Sequence, residues 1–177
     1  LYLNNQGHFE DITLQSGLAY HGFGLSALAA DFNDDGWLDL FVANDFIEPD
    51  VVFLNNGDQT FTPSYSGFDH MSQNSMGSDL GDMNNDGELD LIVLDMLAAT
   101  NERQKIFATN MTQNRYERLA DMGYGKQLMR NVLQLKTGPN AFSEIGCLSG
   151  IEKTDWSWSA LFADLNLDGH QDLFITN

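Results

Sequence analysis

Asp31-Phe32-Asn33-Asp34-Asp35-Gly36-Trp37-Leu38-Asp39 is the stretch that decides the fold, because it recurs. The second copy is Asp82-Met83-Asn84-Asn85-Asp86-Gly87-Glu88-Leu89-Asp90, and the third is Asp164-Leu165-Asn166-Leu167-Asp168-Gly169-His170-Gln171-Asp172. Oxygen-bearing side chains fall at positions one, three, five and nine around a glycine at position six. That spacing suits a hard divalent cation, and calcium fits best, because it accepts about six to eight oxygens in a flexible shell. Position seven offers its backbone carbonyl, so its side chain is free to vary as Trp37, Glu88 or His170. The expected ligand sets are Asp31, Asn33, Asp35, Trp37 and Asp39; Asp82, Asn84, Asp86, Glu88 and Asp90; and Asp164, Asn166, Asp168, His170 and Asp172. One Ca²⁺ per motif gives three sites. An Asp/Asn-rich turn held by side-chain-to-backbone hydrogen bonds accounts for one copy. It does not account for carboxylates gathered in every copy, which repel one another without a cation. An EF-hand requires a Glu at position twelve, where this chain has Val42, Val93 and Ile175.

Each motif is followed by a short apolar run, such as Leu89-Asp90-Leu91-Ile92-Val93-Leu94, that reads as a buried strand. Small residues recur upstream, with Ser26, Gly77 and Ser159 five positions before the motifs and Ala30, Gly81 and Ala163 one position before. They predict close approach of a neighbouring sheet. The motif is therefore a loop between two antiparallel strands. A second recurring element, Val52-Phe53-Leu54-Asn55-Asn56-Gly57-Asp58-Gln59-Thr60-Phe61, reads as a hairpin. It has counterparts at residues 1–9 and 132–142.

Each unit thus supplies four strands, and the first two motifs lie 51 positions apart. Both values match the blade of a β-propeller, with a flat solenoid as the alternative. The expected class is all-β, a β-propeller fragment of four-stranded antiparallel blades with a short helical insert. Residues 1–20 end one blade and 21–66 form the next. Residues 67–147 form a blade carrying the insert at about 98–129, and 148–177 begin another. The rest of the propeller is expected in a longer parent protein. Trp37, Trp156 and Trp158 are expected as core or blade-packing residues, and Cys147 as a small buried hydrophobe.

The insert, with Tyr116, Leu119 and Met122 at helical intervals, predicts one or two short helices ending near Gly123. Seven of the chain's eight Lys and Arg residues lie between Arg103 and Lys136. Either they dock the insert onto an acidic body or simply keep it soluble, or they form a patch for an anionic ligand such as an acidic glycan. The formal net charge of −18 argues against nucleic acid. No apolar run is long enough to span a membrane. His8, His21, His70 and His170 share no spacing with a nucleophile motif, and Gly-x-Ser-x-Gly does not occur.

Together, Phe162-Ala163-Asp164-Leu165-Asn166-Leu167-Asp168-Gly169, its two homologous copies and the Leu-Asn-Asn-Gly…Phe hairpins resemble the FG-GAP/VCBS-repeat family. Its repeats also build integrin α-subunit heads. Tyr2-Leu3-Asn4-Asn5…Phe9-Glu10-Asp11-Ile12-Thr13 further resembles bacterial surface proteins and the cartilage-acidic-protein-like group. The resemblance implies Ca²⁺ in hairpin loops and an extracellular, cell-surface or periplasmic location. The expected function is a calcium-binding, non-enzymatic binding or scaffold module with a glycan or protein ligand. The alternatives are the scaffold of a polysaccharide lyase or hydrolase, and an integrin-like adhesion module.

Overall fold

Among the described residues there are five sheets, four of which follow one another along the chain while a two-stranded fifth joins a link to the insert. The structure is a computed structural model that describes residues 1–106 and 113–177, with side chains described for 1–106 and 116–177. β1 (Tyr2–Asn5) and β2 (His8–Asp11) form an antiparallel hairpin. Gln6 and Gly7 turn it with φ of 52° and 92°. β3 (Gly24–Ala30), β4 (Asp39–Asn44), β5 (Val51–Asn55) and β6 (Phe61–Ser64) form a four-stranded antiparallel meander in chain order. β7 (Met71–Ser72) lies in the link to the next unit. That unit contributes β8 (Ser78–Gly81) and β9 (Asp90–Val93), then α1 (Asn101–Ile106), α2 (Gln113–Asp121) and β10 (Gln127–Leu128), then β11 (Val132–Gly138) and β12 (Ala141–Glu144). Its sheet runs β8-β9-β11-β12, so the helices interrupt the sequence but not the sheet. α3 (Gly146–Ser149) leads to the antiparallel pair β13 (Ser159–Ala163) and β14 (Asp172–Thr176). The described residues form no closed ring.

The two cores lie between sheets, and strand alternation explains them. Leu91 and Val93 on β9 pack with Phe32, Phe41, Ala43, Val52, Val132 and Phe142. Ile92 and Leu94 point the other way and pack with Leu133 and Ala160, flanked by Phe162, Leu173 and Ile175. A strand buried on both faces reads as an unbroken apolar run. Burying one such Leu or Ile stabilises by about 1.5–3 kcal/mol.

The small residues before each motif stand where the sheets touch. A Cβ on Gly77 would overlap the carbonyl oxygen of Trp158 and sit 3.0 Å from Ser159 Cα. A Cβ on Gly81 would sit 2.6 Å from Phe162 Cγ. Between the other two sheets, Ser26 and Ser78 share a 2.7 Å hydroxyl bond. Asp79 accepts the Phe162 N–H at 2.6 Å. This carboxylate, which departs from the apolar residues at the matching positions, ties β8 to β13.

The insert carries the expected helices as α1 and α2 but ends in the short strand β10, and residues 107–112 of the predicted helical stretch lie outside the described residues. Tyr124 N–H closes α2 onto Leu119 O, and Gly123 has φ of 88°. Leu119 is buried, but Met122 is exposed. β10 pairs in parallel with β7 and fastens the returning chain.

Two expectations need correction. Trp37, Trp156 and Trp158 are more than half exposed, so none is a core residue. The Trp37 indole instead lies against the hairpin turn at Gly57, where a Cβ would meet it at 2.9 Å. Cys147 is exposed rather than buried, because it sits on the single turn of α3, and its Sγ accepts an Arg130 guanidinium N–H at 2.6 Å.

Candidate metal loops

All three acidic loops fold the same way, bond for bond. In the first, Asp31 Oδ1 and Asn33 Oδ1 both accept the Asp35 N–H at 3.1 Å, while Asp31 Oδ2 accepts from Gly36 at 2.7 Å. Asp35 Oδ1 accepts the Trp37 N–H at 2.8 Å. The second loop repeats this with Asp82, Asn84, Asp86, Gly87 and Glu88, and the third with Asp164, Asn166, Asp168, Gly169 and His170. The shared amide therefore brings the oxygens of positions one and three together. Glycine at position six has φ of 87°, 90° and 87°. Position four is also left-handed, at 61° for Asp34, 58° for Asn85 and 61° for Leu167. Asp and Asn tolerate that backbone better than Leu.

Position nine does a second job. Asp39 Oδ2 accepts the Phe32 N–H at 3.0 Å and Oδ1 accepts the Asn55 N–H at 2.7 Å. Asp90 repeats this with Met83 and Lys136 at 3.1 and 2.9 Å. The carboxylate thus clamps the loop to the third strand of its own sheet. Both side chains are fully buried. Burial pushes both carboxyls above the usual range, the backbone N–H bonds oppose this, and the carboxylates at positions five and one add to the rise. In the exposed Asp86 and Asp168, hydrogen bonds from Glu88 with Asn84, and from His170 with Asn166, hold the carboxyls low.

The donor set fits a hard cation. Carboxylate, amide and backbone oxygens supply it, with no sulfur. His170, the imidazole-bearing residue at position seven, directs Nδ1 elsewhere, accepting from Asn85 Nδ2 at 2.8 Å. Among the described residues, no three His, Cys, Asp or Glu side chains stand together as a ready metal cluster. Each loop mixes Asp with Asn and backbone, and every carboxylate oxygen engaged by one N–H keeps a second lone pair.

Neighbouring loops touch, a feature absent from the sequence reading. Asn85 Nδ2 at position four of the second loop also donates to Gly169 O of the third at 3.1 Å. Between the first and second loops stands Lys136, whose ammonium pairs with Asp34 and, at 2.7 Å, with Glu88. The signal was available: Lys136 is one of the few cations in an acidic chain.

Arg103 in the insert and Arg130 just beyond it make ion pairs with the body of the chain, as the docking alternative expects. Arg103 pairs with Asp155 at 3.0 Å and Arg130 with Glu144 at 2.9 Å. Arg115 lies beyond the described side chains.

At the opposite strand ends, a polar lock also repeats. Asn44 N–H donates to Asp50 Oδ1 at 2.8 Å, and Asp95 N–H donates to Asn131 Oδ1 at 2.8 Å. Asp50 and Asn131 each stand one residue before the third strand of their sheet. Ser75 Oγ donates to Asp50 Oδ2 at 3.0 Å, joining this lock to the next unit.

A search among curated proteins finds no match to the chain. Residues 31–93 match the family of the FG-GAP-like repeat. The matched span starts on the first acidic loop, crosses the four-stranded meander and the second loop, and ends on β9. Over that span the chain is similar to the FG-GAP-like repeat family.

Proposed function

We propose that the chain is a calcium-stabilised, non-enzymatic binding or scaffold module built as part of a β-propeller, in a secreted or surface-exposed protein. The observation that carries this reading is the bond-for-bond repetition of the acidic loop. Three loops with different residues at positions two, four and seven keep the same oxygens in the same places. The four-stranded antiparallel sheets packed face to face support the propeller architecture. In each loop the side chains at positions one, three, five and nine would hold the ion with the carbonyl at position seven. Calcium would supply positive charge among carboxylates that otherwise repel.

At Kd of ~10⁻⁴–10⁻³ M and calcium near ~1 mM, each site adds about 0.4–1.4 kcal/mol. Removing calcium with a chelator is expected to lower the melting temperature by about 5–10 °C, reversibly on adding calcium back. Scanning calorimetry reads this directly. An unchanged melting temperature rejects the structural role of the ion.

A further inference from the structure

The insert and the inter-sheet links enclose a cavity of about 570 Å³ at the strand ends opposite the acidic loops. Tyr20 before β3, Tyr65 and Phe68 after β6, and Tyr124 after α2 give it aromatic walls. Glu48 and Lys126 are among the charged groups of its lining. The wall formed by the insert is anchored. Buried Gln127 donates from Nε2 to Ile47 O at 3.0 Å and to Tyr124 O at 2.9 Å. Such a site is pre-formed, as small-molecule pockets usually are.

The chemistry of the lining selects a ligand class. Glu48 Oε2 is buried and has no hydrogen-bond partner among the described residues, a costly arrangement for a carboxylate. Asp69 adds a second carboxylate to the lining. His70 lies at the edge, where burial chiefly lowers its basicity and Glu144 opposes that. The lining therefore holds two acids against the single ammonium of Lys126, within a chain of net charge −18. Aromatic faces attract cations, and an acidic molecule concentrates them. We infer that this cavity binds a small organic ammonium compound, its amine directed to Glu48 and its apolar body between Tyr20, Tyr65, Phe68 and Tyr124. The inference is independent of the calcium loops, which stand at the other end of the strands.

Isothermal titration of the whole chain with phenethylamine, in calcium at neutral pH, tests it. The amine is expected to bind at one site with Kd below ~1 mM, and its neutral counterpart 2-phenylethanol at least about tenfold more weakly. Glu48→Gln, close in shape, should weaken the amine at least about tenfold and leave the alcohol unchanged. Lys126→Met should tighten the amine severalfold by removing the competing charge. Three results would each overturn the assignment: no saturation by the amine up to ~10 mM, equal affinity for amine and alcohol, or preferential binding of a neutral disaccharide such as cellobiose.

Discussion

Replacing Gly77 by Ala is expected to destabilise the chain by about 2–4 kcal/mol and to lower its melting temperature by roughly 5–15 °C. The added methyl meets only backbone: the Trp158 carbonyl oxygen, Trp158 C at 3.1 Å and Ser159 Cα at 3.0 Å. A flexible side chain would swing aside, but here the β13–β14 sheet must move away from β8. That movement opens the core around Ile92, Leu94 and Ala160. Gly138→Ala is the matched control, because nothing lies within 4 Å of its added Cβ, and it should stay within about 0.5 kcal/mol of the parent. Equal melting temperatures for the two variants would mean that the sheets are not packed as described.

The second large effect concerns pH. Asp50 is 1% exposed, and burial pushes its carboxyl up to about 7, against the opposing pull of the Asn44 N–H and the Ser75 hydroxyl. Asp95, also buried, adds a smaller push in the same direction. The folded state therefore holds a proton that the unfolded state releases near pH 4. Stability from this group is greatest below about pH 4 and falls by about 1–4 kcal/mol as pH rises through about 7. Asp50→Asn should abolish that part of the slope and raise stability at about pH 8 by roughly 1–3 kcal/mol. The chain contains the precedent. Asn131, at the matching place in the next unit, accepts the Asp95 N–H and donates to Ile151 O at 2.8 Å and Thr154 Oγ1 at 2.6 Å. Denaturant melts of parent and variant across pH check it. A variant less stable than the parent at about pH 8 would show that the charged carboxylate is required there.

Local chemistry made much of this fold legible. The acidic loops, their flanking strands and the Asn-Gly hairpin are short-range patterns, and all appear at their expected places. Ser26, Gly77 and Gly81 correctly marked close sheet approach, because a missing side chain is a direct record of a near neighbour. The Trp residues were misread as core because size and apolarity do not say whether a loop position is covered: Trp37 sits in the first acidic loop, and Trp156 and Trp158 precede β13. Cys147 was misread because the turn of α3 carries no strong pattern. The cavity was hidden for another reason. Its walls come from positions as distant as Tyr20 and Tyr124, and only packing brings these together. His21 and His70, in links between strands, also line that cavity. Asp39 and Asp90 carry a role that spacing alone did not reveal: their oxygens also clamp the third strand.

The most direct test of the central claim is a high-resolution crystal structure of the chain grown in abundant calcium, with anomalous scattering to identify the ion. Three calcium ions are expected, one in each loop beginning at Asp31, Asp82 and Asp164, at ~2.3–2.6 Å from their oxygen ligands. Water alone in those three loops, at saturating calcium, would contradict the account.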